Sequence, residues 1–205
     1  ITSAEALDSN LYTNYSAVED SINAVDRAKS KAQQTEVDAM AKAIDDAITA
    51  LQYKGADYTN VDAAIAKANA LNKDNYKDFS GVEDAVKAVV RGKNITEQSE
   101  VDKMAKAIEK AIDALQYKGA DYTKVDEAIA KAKALNKDNY KDFSGVEDAV
   151  KAVVRGKNVT EQSEVDAMTK AIEDAIGNLQ YKDADYTKVD VAIAKAKALN
   201  NDDYK

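Results

Sequence analysis

The chain has 205 residues, a formal net charge of −8, and no Cys, His, Pro or Trp. Lys and Arg alternate with acids rather than clustering, which argues against a nucleic-acid or anionic-membrane partner. No imidazole or thiol is available as base, nucleophile or metal ligand, and no apolar run approaches the roughly 18 residues that cross a bilayer, so a soluble, non-catalytic protein without membrane insertion is expected. No signal peptide opens the chain; if it is secreted, its signal lies upstream.

A repeat dominates the sequence. QYKGADYTNVD at Gln52 returns as QYKGADYTKVD at Gln116 and QYKDADYTKVD at Gln180, a spacing of 64 residues. An array of small units replaces the one or two ordinary domains that the length suggests. The expected divisions are residues 1–55 (a partial first repeat holding helices two and three), 56–119 and 120–183 (full repeats), and 184–205 (the first helix of a further repeat).

The first copy, traced from Leu7, diverges most: Asp26 stands where the second copy has Val90, and Lys31 where it has Ile95, so these two positions are expected to be peripheral. The better conserved copies show the elements plainly. From Tyr122, helix one carries Val125, Ala128, Ile129, Ala132 and Leu135 on one stripe. Thr123 with Asp126 has the spacing of a capping box, and Asn136 with the polar run after it ends the helix. Helix two begins at Ser144, paired with Glu147 as a second capping box, and turns Val146, Ala149, Val150 and Val153 inward. Gly156 after Arg155 suits a left-handed cap. Helix three runs from about Gln162 to Gln180, with Thr160 or Ser163 as N-cap and Val165, Met168, Ile172, Ala175, Ile176 and Leu179 in near-heptad spacing. Glu147 with Lys151, and Asp166 with Lys170, are expected as exposed ion pairs.

Three such helices joined by short loops predict an all-α chain of tandem antiparallel three-helix bundles with a 64-residue repeat, forming an elongated rod. Ten of 64 positions differ between Ala56–Gly119 and Ala120–Asp183, and none falls on the proposed core stripes.

An up-down-up bundle places the end of helix three beside the loop between helices one and two. Tyr76 and Phe79 are therefore expected near Tyr117 and Tyr122, and the rings Tyr53, Tyr58, Tyr76, Phe79, Tyr117, Tyr122, Tyr140, Phe143, Tyr181 and Tyr186 gather at the repeat junctions. A tyrosine buries its face in such a joint while its hydroxyl stays wet. The favoured reading is a joint between neighbouring repeats. A glycan or host matrix protein bound on these rings is the alternative. Asn72, Asp74 and Asp78 are oxygen-rich but lack the spacing of a dedicated calcium loop, and no cofactor or metal site is expected.

The stretches ADYTKVDEAIAKAKALNKDNY, SGVEDAV and VTEQSEVDAMTKAIEDAIGNL resemble the FIVAR repeat (found in various architectures), over essentially the whole chain. That resemblance implies the surface or secreted proteins of Gram-positive bacteria, in the cell wall or outside the cell. There it implies a structural stalk or spacer that projects a functional domain, with an adhesive module as runner-up. It brings no catalytic residues.

The ends pose a packing question. If each helix one packs on the pair that follows, the first unit exposes a groove lined by Val18, Ile22, Val25, Val37, Met40, Ile44, Ile48 and Leu51. The last helix, Thr187–Leu199, is then an orphan with Val189, Ile193 and Leu199 facing water, and head-to-tail self-association or fraying follows. If each helix one packs on the preceding pair, three complete units and a monomer result. The resemblance favours the first order.

Overall fold

The computed structural model describes residues 6–199. Among them are nine α-helices and no β-strand: α1 (Ser16–Asn23), α2 (Gln34–Thr49), α3 (Thr59–Ala70), α4 (Ser80–Lys87), α5 (Gln98–Asp113), α6 (Thr123–Ala134), α7 (Ser144–Lys151), α8 (Gln162–Gly177) and α9 (Thr187–Lys197). The chain divides into two compact units, Ile1–Gln116 and Tyr117–Lys205, so the expected division at 55/56 lies inside unit 1.

The helices begin where the spacing suggests, at Thr123, Ser144 and Gln162, but different residues cap them. Asp121, two residues ahead of Thr123, accepts the Thr123 backbone N–H at 2.8 Å, and Asp142 does the same for Ser144 at 2.8 Å. These are Asx turns, in which a short carboxylate reaches a nearby unpaired N–H. The proposed box partners are engaged elsewhere: Asp126 pairs with Arg155, and Glu147 lies 3.7 Å from Lys137. A true capping box does occur ahead of α8, but on Asn158 and Glu161, where a 3-10 turn (Val159–Glu161) precedes the helix; Thr160 and Ser163 do not cap it. Helix α8 stops at Gly177, three residues short of the expected end. Lys170 pairs forward with Asp174 at 2.6 Å, while Asp166 accepts a hydrogen bond from Gln162.

In unit 1, α3, α4 and α5 share a cluster of Val61, Ala64, Ala68, Val82, Val101, Ala105 and Ile108. The direction of each helix follows from its bonds. Asp57 and Gln98 join the starts of α3 and α5, and Lys67 meets Glu109 further along, so these two run parallel. The backbone N–H of Lys77, just before α4, donates to the Gln116 carbonyl just past α5, so α4 runs the other way. Two alanines on the buried face of α3 remove the bulk that would hold it off α5. Unit 2 repeats this packing with Val125, Ala128, Ala132, Val146, Val165 and Ile172. Helix one therefore packs on the pair that follows it. Before α3, helices α1 and α2 form a smaller cluster on Val18 and Ile44.

One copy-to-copy difference does reach the core. Ala105 and its counterpart Thr169 are both buried, and the Thr169 hydroxyl turns back to the Val165 carbonyl at 3.4 Å. A helix absorbs a threonine by this local bond to the preceding turn, so the substitution leaves no unpaired hydroxyl. Val90 is 56% exposed, which accounts for aspartate at the matching position 26.

Helix α9 has no buried residue. Val189 is 50% exposed, whereas Val125, at the same place in α6, is fully enclosed. The Val125→Ala change should therefore cost unit 2 about 2 kcal/mol from lost methyl burial and the cavity left behind. Val189→Ala in dilute protein should leave the thermal unfolding curve unshifted.

Candidate functional site

The connector from Gln52 to Ala56, whose residues are almost all exposed, lies between the α1/α2 pair and the α3–α5 cluster of unit 1. The bonded backbone groups of this stretch belong to every second residue, Gln52, Lys54 and Ala56, and meet two sets of partners in succession. In the first set, the Thr13 N–H donates to the Gln52 carbonyl at 2.8 Å and the Lys54 N–H donates to Leu11 at 2.8 Å. In the second, the Ile95 N–H donates to the Lys54 carbonyl at 2.8 Å and the Ala56 N–H donates to Lys93 at 3.0 Å. Isolated bridges pair Tyr12 with Tyr53 and Gly55 with Asn94. Lys54 alone bonds the helix pair before it and the loop of the cluster after it. The carboxamide of Asn14 adds to the first set, donating to Ala50 and accepting from the Gln52 N–H, both at 2.8 Å.

The same bonds recur in unit 2, where Val159 donates to Lys118, Ala120 to Lys157, Lys141 to Gln180 and Lys182 to Asn139. At Gly55 and Gly119 an added Cβ would meet open space, which fits the aspartate at the equivalent position 183.

The ten expected ring residues fall into two separate settings. In the first, rings stack beside the connector: Tyr12 on Tyr53 with centroids 4.8 Å apart, and Tyr140 on Tyr181 at 4.8 Å. Tyr76 and Tyr140 are buried, each 5.8 Å from the following Phe79 or Phe143. The hydroxyl of Tyr140 lies 3.4 Å from that of Tyr181, and this shared hydrogen bond raises the Tyr140 pKa above its ordinary value, as the Tyr53 contact does for Tyr12. Tyr117, Tyr181 and Tyr186 are exposed.

Tyr58 and Tyr122 belong to the second setting, at the other end of their clusters. The Tyr122 hydroxyl donates to the Val154 carbonyl at 2.9 Å and accepts the Lys157 N–H at 3.1 Å, within its own unit. Tyr58 does the same with Val90 at 2.9 Å and Lys93 at 3.2 Å. Gly92, at φ +85°, turns the loop between these two groups in a conformation that an L side chain resists. The guanidinium of Arg91 sits 4.8 Å from the Tyr58 ring centroid and pairs with Asp62. Arg155, Tyr122 and Asp126 repeat the arrangement. Gln98 completes it, accepting from the Asp57 N–H at 2.7 Å and donating to the Asp57 carbonyl at 2.9 Å.

Arg91, Asp62, Gln98 and Lys93 escape a reading that follows aromatic residues. The available signal was the return of Arg and Asp at the same offset in every copy, as Arg27, Arg91 and Arg155 with Asp62, Asp126 and Asp190. The oxygens of Asn72 and Asp78, weighed for calcium, accept the backbone N–H groups of Asp74 and Ser80. Comparison with protein-family models, curated proteins and solved structures finds no match.

Electrostatics at this site act through hydrogen bonds. The Thr59 and Thr123 hydroxyls and N–H groups hold Asp57 and Asp121 below the usual carboxylate range. Ser80 and Ser144 lower Asp78 and Asp142, Arg155 lowers Asp126, and Lys93 lowers Glu97. Lys93 itself is raised by Glu100 and Glu97. A carboxylate whose folded pKa is depressed adds stability above its unfolded value, and that stability is lost as pH falls through the folded pKa. Stability should therefore be nearly flat from about pH 6 to 8, since the chain has no histidine, and should fall as the pH drops below about 4. Thermal melts across this range, followed by circular dichroism, measure it.

Proposed function

We propose that the chain is a run of FIVAR-type three-helix-bundle repeats acting as a non-catalytic stalk or spacer of a bacterial cell-surface or secreted protein. The observation that carries this reading is the connector of unit 1, whose backbone bonds both the segment before α1 and the loop before α5. A flexible tether between functional modules leaves its backbone to water; this one ties the α1/α2 pair to the α3–α5 cluster. A rod of small units needs such coupling, because about 64 residues bury only a marginal core and neighbour contacts supply the remainder. The polar groups at the junctions hold backbone and helix starts in place, an arrangement that serves geometry rather than reaction.

The alternative is adhesion to a glycan or matrix protein. What favours it is the exposure of the Tyr181 ring, 68% open while stacked on Tyr140, which offers a face to a sugar. A glycan array with Tyr181→Ala as control separates the two readings.

Small-angle scattering tests the stalk directly. A rod should give a radius of gyration well above the roughly 17 Å of a compact 205-residue globule. A value near that figure would reject it.

A further inference from the structure

Two tyrosine pairs carry chemistry that packing alone does not use. Tyr12 and Tyr53 stack with ring centroids 4.8 Å apart and 23° between their planes, and Tyr140 and Tyr181 stack at 4.8 Å and 27°. The phenol oxygens of the second pair lie 3.4 Å apart, and the Tyr12 phenol is likewise hydrogen-bonded to Tyr53. Each pair joins a sheltered ring to an open one. Tyr140 is 8% exposed and Tyr181 68%, while Tyr12 is half-buried and Tyr53 is 47% exposed. Tyr53 lies well inside the chain, so the openness belongs to the position and not to the last repeat.

A stack needs no hydroxyls, since phenylalanine rings stack as well. Yet both positions hold tyrosine in every copy, at 12 and 53, 76 and 117, and 140 and 181. Two phenols held in this way can couple. A phenoxyl radical carries much of its unpaired spin on the Cε carbons beside the oxygen-bearing carbon. Near-parallel rings with touching hydroxyls place those carbons on adjoining edges.

We propose that Tyr140 with Tyr181, and Tyr12 with Tyr53, are sites of oxidative cross-linking, at which a peroxide-driven one-electron oxidant joins the two rings through a Cε–Cε bond as dityrosine. Tyr181, the open ring, gives an electron to the oxidant and its phenolic proton to water. Its radical takes a hydrogen atom from Tyr140 across their shared hydrogen bond, which restores the Tyr181 phenol for a second oxidation. The two unpaired electrons then form the Cε–Cε bond, and the two ring hydrogens displaced there move to the oxygens and restore both phenols. The sum is two tyrosines and one hydrogen peroxide giving one dityrosine and two waters, with the peroxide reduced. Tyr58 and Tyr122 are set against this reaction, because their hydroxyls bond backbone carbonyls and a guanidinium covers each ring. The new bond joins residues 41 apart, closing a loop through helices two and three and restricting the unfolded chain. This inference does not rest on the stalk reading.

Oxidation of the dilute full chain by a haem peroxidase with limiting hydrogen peroxide tests it, followed by cleavage at Lys and Arg and peptide mapping. The product should remain monomeric, lose two hydrogens per link, show dityrosine fluorescence, and contain peptide 138–141 joined to peptide 171–182. Tyr181→Phe keeps a ring on the stack, so the fold is preserved, and it should abolish that link while the Tyr12–Tyr53 link still forms. Tyr186→Phe removes a phenol that is 63% exposed and should leave both links at full yield. Dityrosine that only joins separate chains, or that couples Tyr181 to Tyr186 as readily as to Tyr140, would overturn the proposal. Oxidation that consumes exposed tyrosines and forms neither link would overturn it equally.

Discussion

The backbone N–H and C=O groups of a connecting segment are normally satisfied by water. In residues 52–56 the protein replaces that water at every second residue, with Leu11 and Thr13 bonding Gln52 and Lys54, and Lys93 and Ile95 bonding Lys54 and Ala56. The aromatic stack beside Tyr53 and the loop that carries Arg91 are positioned by this one segment. Because each partner belongs to a different hydrophobic cluster, separating the clusters would expose several backbone groups at once. Each such bond adds only about 1 kcal/mol net, but together they resist bending at a single point.

The second consequence is a division of labour between the two tyrosines of each QYK(G/D)ADYT motif. Side chains along an extended segment depart to opposite faces. Tyr53 turns back to stack on Tyr12, while Tyr58, just before α3, binds forward to the loop at Val90 and Lys93. A cation held over the Tyr58 ring and anchored by Asp62 then ties helix one to that loop. The cores themselves stay aliphatic and small. All three methionines sit in helix three, and each accepts through sulfur the backbone N–H of the residue fourteen positions earlier, at 3.3 Å. A thioether is a weak acceptor, and here it meets an N–H just past the end of helix two.

Much of this architecture was legible in the residues. The stripe of Val125, Ala128 and Ala132 sets its own period, and those residues are the buried ones. The starting points of the helices were legible but their caps were not, because Thr123 and Ser144 look like caps while the carboxylates two residues earlier do the capping. Both are short polar side chains near a helix start, and only backbone geometry decides between them. The rings were assigned to one joint surface because an up-down-up bundle places the end of helix three beside the loop between helices one and two. The hydroxyl of Tyr122 instead finds partners 32 and 35 residues away, through a loop whose path depends on Gly156. Position 169 was left off the core stripes, yet its threonine is buried and the helix accommodates the hydroxyl through the Val165 carbonyl.

Native-state hydrogen exchange at the connector addresses the central claim most directly. If the connector is bonded to both clusters, the amides of Lys54, Ala56 and Ile95 should exchange as slowly as those in the middle of α5, since opening them requires the clusters to part. Exchange of these three amides at the rate of an unstructured linker, with α5 still protected, would contradict the account.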